Sequence, residues 1–340
     1  MARKKIGKQT VKLQQPPSIV STASTVGPKE GKGPLSHYFD IILTDDLYGE
    51  NSWELAESKM LRETIRAAIQ RADKNIVDIE YLLSGDLLNQ LMAASFAARD
   101  LDIPFFGLYG ACSTMSESLS LGAMLIDGGY ANHVAAATSS HFSSAERQFR
   151  FPLELGNQRP LTAQWTVTGA GAAILAARGD GPYISHVTTG KVIDLGIKDA
   201  NNMGAAMAPA AANTMVAHFE DTGFMPEDYD LIATGDLGAI GKEIAEEIVF
   251  DKGYNISKVF NDCGLLIFDN RVQDTHAGGS GCGCSASVFC GYIYKEMMEG
   301  RLNKVLLIST GALLSSTSAL QGQSIPCIAH AVTITNILKH

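Results

Sequence analysis

An internal duplication is the sequence feature that most constrains the fold of this 340-residue chain. Residues 110–137 and 281–308 share the same order of a Gly/Cys/Ser turn, a helical stretch, a break with glycine and a β-rich run. At a constant offset of 171 (281 − 110), five pairs of positions carry the same amino acid: Gly110 and Gly281, Ser116 and Ser287, Gly129 and Gly300, Asn132 and Asn303, and Val134 and Val305. A second pair, DIEYLLSGD at 78–86 and DYDLIATGD at 228–236, precedes these blocks at an offset of 150 (228 − 78). Two matched pairs in one order predict two related halves, with an insertion before Gly281 whose length is the difference between the offsets (171 − 150 = 21).

Hydrophobic patterning predicts the same elements in both halves. The first half is expected to form a helix at 53–72, a strand at 79–83 and a helix at 87–98. The second is expected to form a helix near 211–222, a strand at 231–234, a helix at 240–250 and a buried strand at 305–309. Strands that alternate with helices indicate parallel sheets covered on both faces. We therefore predict an extension at 1–36 and halves at 37–180 and 181–340, which pack as one body.

Composition excludes several classes of protein. The chain has 27 Lys and Arg against 36 Asp and Glu, a formal net charge of −9, which speaks against nucleic-acid binding. It has no run of about 20 apolar residues, so no membrane span is expected. Residues 1–13 carry five Lys or Arg side chains; we interpret them as a solvated terminus, with contact to an anionic membrane surface as the alternative. The six cysteines form no evenly spaced framework, so reduced thiols in the cytosol are expected.

Cys112 lies in the turn Gly110–Ser113, between an apolar segment at 103–108 and a helical stretch. A cysteine at a helix N-terminus faces unpaired backbone N–H groups and the positive end of the helix dipole. Both favour the thiolate, and the same geometry binds anions. The alternative is a buried cysteine that packs as a small apolar side chain.

Four segments carry a resemblance to a known superfamily: GACSTMSESLSLGAMLIDGG at 110–129, VAAATSSH at 134–141, VTGAGAAIL at 167–175 and GGSGCGCSAS at 278–287. They resemble the thiolase/ketoacyl-synthase superfamily over residues 40–316. This resemblance implies an α/β fold, the thiolase-like duplicated five-layered α/β/α/β/α fold. It also implies a homodimer.

Within that superfamily, the sequence resembles a family of spore-forming Firmicutes linked to moving dipicolinic acid (pyridine-2,6-dicarboxylate) into the developing spore. The resemblance implies dipicolinic acid as ligand and other membrane proteins of the same spore uptake system as partners. It implies a peripheral position on the cytoplasmic side of the forespore inner membrane. No cofactor is expected, apart from Ca²⁺ accompanying dipicolinate.

The chain departs from the superfamily pattern at the partners of the nucleophile. Condensing enzymes of this type activate a cysteine with two further polar groups, His/His or His/Asn, and Cys112 matches that cysteine. The strand that usually delivers a histidine reads LIATGD at 231–236, and Cys282 or a neighbouring glycine occupies the second position. Loss of such partners lowers activity by orders of magnitude. We therefore predict binding without catalysis, with an acyltransferase or condensing enzyme that uses Cys112 on an acyl thioester as the alternative.

The candidate ligand-binding residues are Cys112, His141, Arg147, Asn202, Asp236, His276 and Cys282. Arg147 is chosen because a guanidinium pairs well with carboxylates, and Arg150 and Arg159 are further candidates. His141 and His276 are also possible substitutes for the missing histidine. For each the alternative is a residue with no role: a solvated or dimer-facing arginine, a satisfied histidine, or a turn asparagine.

Two other motifs carry less weight. The C-x-C at 282–284, with Cys263, Cys290 and His276, lacks the matching second pair of a zinc site, so no metal is predicted. GAGAA at 169–173 lacks the third glycine of a dinucleotide motif and is interpreted as a packing site. A third hypothesis is a purely structural partner of membrane proteins.

Overall fold

The computed structural model describes residues 4–149 and 159–338. The strands are β1 Thr10–Lys12, β2 Ser18–Val26, β3 Ile41–Ile42, β4 Tyr81–Gly85, β5 Phe105–Gly107, β6 His133–Ser140, β7 Trp165–Thr166, β8 Gly169–Ala176, β9 Tyr183–Thr188, β10 Leu231–Thr234, β11 Phe260–Asp262, β12 Gly279–Ser280, β13 Lys304–Ala312 and β14 Cys327–Thr335. The helices are α1 Trp53–Arg71, α2 Met92–Leu101, α3 Thr114–Asp127, α4 Phe142–Phe149, α5 Met203–Thr222, α6 Gly238–Asp251, α7 Cys263–Ile267, α8 Cys282–Val288, α9 Tyr294–Met298 and α10 Ser316–Leu320.

The strand order repeats from one half to the other. One half runs β5-β4-β6-β8-β2 and the other β11-β10-β13-β14-β9, and the two meet where Ser18 pairs with Tyr183. In each half the strands of the two matched sequence blocks pair in parallel, β4 with β6 and β10 with β13. The next strand of the sheet order, β8 or β14, then joins antiparallel. The duplication predicted from the sequence is therefore confirmed.

The sequence offsets reappear in the residue numbers at which the elements start. The offset is 150 between α1 and α5 (203 − 53) and between β4 and β10 (231 − 81), whereas it is 171 between β6 and β13 (304 − 133). The extra length of the second half holds α7 and β12, which precede Gly281. The insertion was thus placed correctly.

Alternating side chains of the strands separate three layers of helices. Leu82 and Leu306 point to the outer layers, which contain α1 with α2 and α5 with α6. Their neighbours Leu83 and Leu307 point to a central layer that contains α3 and α8. The period of two along a strand produces this alternation. The five-layered fold class implied by the resemblance is confirmed.

Three details differ from the sequence-based expectations. Residues 18–26, placed in the N-terminal extension, form β2 of the central sheet. Helix α5 begins at Met203, well before the predicted 211, although Pro209 lies inside it. The helix predicted from 87 begins only at Met92, because Gln90 and Leu91 have positive φ angles of 54° and 55°.

The basic N-terminus is folded from residue 4 onward. Lys4 forms an ion pair with Asp127 at 2.9 Å, and β1 pairs with β9. Residues 4–12 are thus ordered against the fold, while the side chains of Lys5, Ile6, Lys8 and Lys12 remain exposed to solvent as predicted for a solvated terminus. In the ranges the structure describes, none of the helices has the length and apolar character that crossing a bilayer requires.

Candidate functional site

Three helical segments begin at one cleft between the halves. They are the turn Ala111–Ser113 that leads into α3, the start of α5 at Met203, and the start of α8, which Ser280 precedes. The cleft has an empty volume of about 530 Å³, including its open mouth. Its apolar wall consists chiefly of Leu87, Ala145, Phe149, Met203, Met207 and Leu314. Helix N-termini carry partial positive charge, so this geometry favours anions, although the Gly281 and Gly283 N–H groups at the start of α8 already donate to Asp236 and Ser140.

Cys112 forms part of the cleft wall and is 8% exposed. Burial raises the pKa of its thiol well above the usual value, and the adjacent Asp236 carboxylate raises this pKa further. The backbone N–H of Gly281 acts in the opposite direction. The expectation that the helix N-terminus favours a thiolate is therefore reversed, because burial and the neighbouring Asp236 raise the pKa of Cys112 by more than the Gly281 N–H lowers it.

Asp236 lies just after β10, in the segment 231–236 that contains no histidine. Its side chain is fully buried and accepts hydrogen bonds from the Gly281 N–H at 2.9 Å, the Ser280 hydroxyl at 3.1 Å and the Thr310 hydroxyl at 2.5 Å. Burial raises the pKa of the Asp236 carboxyl group. Both oxygens serve protein donors, so Asp236 connects the end of β10 to β12 and β13.

Cys282 belongs to the same small cluster of buried side chains as Cys112. Its thiol donates to the Ser139 carbonyl oxygen at 3.1 Å, and burial raises its pKa well above the usual value. Glu57 and Asp86 are buried nearby. Burial also raises the pKa of Asp86, to about 6.

His141 and Arg147 lie outside the cleft wall. His141 is buried, receives the Ser143 N–H on Nδ1 and donates from Nε2 to the Asp46 carbonyl at 2.8 Å. Burial lowers the pKa of His141, so the ring is neutral and structural. Arg147 forms an ion pair with Glu54.

His276 and Arg159 share a partner away from the cleft. His276 contacts the Pro160 carbonyl at 2.8 Å and the Asp274 carboxylate at 3.0 Å, and Arg159 contacts Asp274 at 2.9 Å. Asn202 adjoins Met203 at the start of α5, and its buried Oδ1 has no hydrogen-bond partner among the described residues. Arg150 lies outside the described residues.

The structure thus brings together Cys112, Asp236 and Cys282 and places Asn202 next to Met203, a residue of the cleft wall. Sequence reasoning missed Asp86, although it matches Asp236 at the smaller of the two offsets of the duplication (236 − 86 = 150). The Asp86 carboxylate accepts the N–H groups of Leu88 and Ala94, both at 2.7 Å, and so shapes the turn before α2. In the described part of the chain, no three His, Cys, Asp or Glu side chains are grouped to hold a metal ion.

Gly311 allows β13 to pass the turn that carries Cys112. A Cβ atom at this position would lie 2.1 Å from the Gly110 carbonyl oxygen. We expect Gly311→Ala to displace that turn and to lower the free energy of unfolding by about 1–3 kcal/mol in urea titrations. Gly169→Ala is the control, since its nearest contact would be 3.2 Å. Equal stability of both variants would contradict this role.

Comparison with known proteins identifies relatives over nearly the whole chain. The family model of stage V sporulation protein AD (SpoVAD) matches residues 7–335. The stage V sporulation protein AD of Bacillus subtilis (strain 168) is 46% identical over 326 residues, which covers 96% of each chain.

Solved structures show the fold. Human mitochondrial 3-ketoacyl-CoA thiolase in complex with CoA is similar at a TM-score of 0.61 and 13% identity, over 96% of this chain and 99% of that one. The 3-oxoacyl-[acyl-carrier-protein] synthase III of Aquifex aeolicus VF5 is similar at a TM-score of 0.57 and 14% identity, over 94% of this chain and 99% of that one. The chain therefore belongs to the stage V sporulation protein AD family, a sporulation protein family, and has a thiolase-like fold.

Proposed function

We propose that this protein binds dipicolinate, alone or as its calcium chelate, in the Cys112 cleft and supports its uptake into the developing spore without catalysis. The observation that carries the proposal is that three helix N-termini meet at one cleft that contains a protonated thiol. Among the described residues, Cys112 is the only cysteine in the wall of this cleft, and burial beside Asp236 keeps its thiol protonated. This arrangement is suited to holding an anion and poorly suited to nucleophilic attack.

The lining of the cleft fits a flat aromatic acid. The pyridine ring would pack against apolar side chains such as Phe149, Met203 and Met207. The Thr166 hydroxyl also lines the cleft and supplies a hydrogen-bond donor to a carboxylate oxygen, whereas the Tyr109 and Ser280 hydroxyls there already donate to the Leu314 carbonyl and to Asp236. A mostly apolar pocket with a few directed polar groups is the usual form of a small-molecule site.

Charge balance favours the calcium chelate over the free dianion. Among the described residues, no Lys, Arg or His side chain lines the cleft. Helix dipoles compensate only part of a double negative charge. In the chelate, Ca²⁺ neutralises both carboxylates, so the cost of moving the ligand from water into an apolar cleft is lower.

The second candidate function is acyl transfer through Cys112. The apolar wall of the cleft and the thiolase-like fold favour it. Its difficulty is the thiol itself, since burial and Asp236 both raise the pKa of Cys112. A protonated thiol is a weak nucleophile.

Titration calorimetry tests the proposal. We expect saturable binding of dipicolinate and stronger binding when Ca²⁺ is present, whereas isophthalate, which lacks the ring nitrogen, should not bind measurably. Absence of dipicolinate binding with and without Ca²⁺ would overturn the proposal. A labelled acyl-CoA distinguishes the second candidate: acylation and turnover that disappear in Cys112→Ala would establish the enzyme.

The proposed cellular setting is the forespore inner membrane. We propose that the protein is peripheral on its cytoplasmic side, as a homodimer that contacts other membrane proteins of the same uptake system. Membership of a sporulation protein family supports the setting. Co-purification from sporulating cells, with and without detergent, tests these contacts.

A further inference from the structure

The N-terminal segment folds into a hairpin whose tip is basic. Lys12 donates its N–H to the Lys4 carbonyl at 2.9 Å, and Ile6 donates to the Thr10 carbonyl at 3.1 Å. Residues 5–8, here called the Lys5–Lys8 tip, close this hairpin. Its other strand, β1, is part of the central sheet through β9.

Asp221 at the end of α5 holds the tip in place. Its carboxylate accepts the N–H groups of Lys8, Gln9 and Thr10 at 2.8–2.9 Å. Gly7 makes this possible, since a Cβ atom there would lie 2.0 Å from the Asp221 carboxylate. The tip is therefore a built element of the fold, and its ordering is complete before any partner binds.

The tip presents cations and one apolar side chain to solvent. Lys5 and Lys8 are exposed, and Ile6 between them is 41% exposed. Lys12 is exposed on β1, and Lys191 is exposed in the loop after β9, which Gln9 contacts through Thr189.

The acidic groups near the tip are largely occupied. Asp221 is engaged by the three backbone donors of the tip, and Asp127 by Lys4 and by the N–H groups of Gln14 and Gln15. Glu220, which precedes Asp221 on α5, is exposed. Asp221 keeps its negative charge, but the four exposed lysines Lys5, Lys8, Lys12 and Lys191 outnumber Glu220 and Asp221, so the surface is locally basic on a chain whose formal net charge is −9. A protein with a net negative charge is attracted to an anionic surface only through a basic region of its own surface.

We propose that the Lys5–Lys8 tip docks this protein onto an anionic lipid surface, with the lysines at the phosphate level and Ile6 in the interface. The arrangement of exposed lysines around the apolar Ile6 fits a lipid bilayer. Such side chains are able to contact a broad anionic surface without a shaped pocket. The docking rests on the membrane setting proposed above but not on dipicolinate binding.

Vesicle sedimentation of the full chain tests the docking. We expect binding to vesicles that contain phosphatidylglycerol, none to pure phosphatidylcholine vesicles, and release at high salt. The double variant Lys5→Gln/Lys8→Gln should lower the partition coefficient about twenty-five-fold, since each surface lysine contributes about a factor of five. Lys252→Gln/Lys258→Gln, an equal change in charge at two exposed lysines elsewhere, should leave it unchanged.

Several outcomes would overturn the docking. These are equal binding of both double variants, equal binding to neutral vesicles, or no vesicle binding by the unaltered chain. Capture by an acidic protein without vesicle binding would assign the tip to a protein partner instead. Dipicolinate calorimetry on Lys5→Gln/Lys8→Gln keeps the two proposals separate. The tip lies outside the cleft, so this variant should still bind dipicolinate in the cleft.

Discussion

Dipicolinate binding should disappear when Ala145 is replaced by phenylalanine. Ala145 lies on α4, is 3% exposed and lines the cleft beside Cys112. A phenyl ring at this position would occupy the space that the pyridine ring needs. We expect affinity to fall at least about a hundredfold, which corresponds to nearly 3 kcal/mol, in titration calorimetry with Ca²⁺ present.

Two controls separate blocked binding from misfolding. Ala239→Phe places the same ring at an exposed position of α6, and its affinity should match that of the unaltered protein. Cys112→Ala should also bind, since it removes only a thiol that we propose is not a nucleophile. If Ala145→Phe folds, as judged by its melting temperature, and still binds normally, the ligand does not occupy this cleft.

Asp236→Leu should be the most destabilising single change at the site. Leucine leaves the Gly281 N–H without an acceptor in the interior and removes the partner of the Ser280 and Thr310 hydroxyls. An unpaired buried donor costs about 1–3 kcal/mol, and a disrupted network costs more. We expect the free energy of unfolding to fall by about 3–4 kcal/mol in urea titrations.

Asp236→Asn keeps a hydrogen-bond acceptor but removes the negative charge, so comparison with the unaltered protein measures the effect of that charge. Burial raises the folded-state pKa of Asp236 above its unfolded value, so the folded protein retains this proton to higher pH. The unaltered protein should therefore lose stability relative to Asp236→Asn as pH rises from the unfolded pKa through that raised pKa. A difference that does not depend on pH would contradict a raised pKa.

The same variant has a chemical readout at Cys112. The Asp236 carboxylate helps to raise the pKa of the Cys112 thiol. Without that charge, the thiolate fraction increases, and we expect faster alkylation of Cys112 by iodoacetamide at mildly alkaline pH. Cys112→Ala identifies the labelled site. Unchanged alkylation would show that Asp236 does not control the thiol.

Sequence reasoning located the elements of the fold better than their ends. The strand predicted at 231–234 is the observed β10, and the helix predicted at 53–72 differs from α1 only in its last position. The start of α5 was missed because an alanine-rich stretch with Pro209 has a weak apolar pattern, whereas packing against β14 and α6 stabilises it as helix. The kink at Gln90 and Leu91 was missed because it depends on the Asp86 carboxylate, which accepts the backbone N–H groups of Leu88 and Ala94 on either side of it.

The residues predicted for the candidate site also fall into two groups, those that the structure brings together and those that it places elsewhere. Cys112, Asp236 and Cys282 were found because each ends or begins an element of the repeat, and parallel strands bring such positions to one edge of the sheet. Arg147, His141 and His276 were chosen by residue type and by nearness in sequence to the motifs, and each has a local partner away from the cleft. Residue type states what a side chain is able to do but not which neighbour it meets.

By itself, the sequence determined the duplication, the order of strands and helices and the position of Cys112 in a turn before a helix, because these depend on local periodicity and on the repeat. The protonation of Cys112 was decided only by the tertiary structure. It depends on burial and on Asp236, which belongs to the second half of the chain and lies beside the thiol only because the two halves pack together. Solvation and charge at a site are properties of its neighbours in space, and local sequence patterns do not encode them.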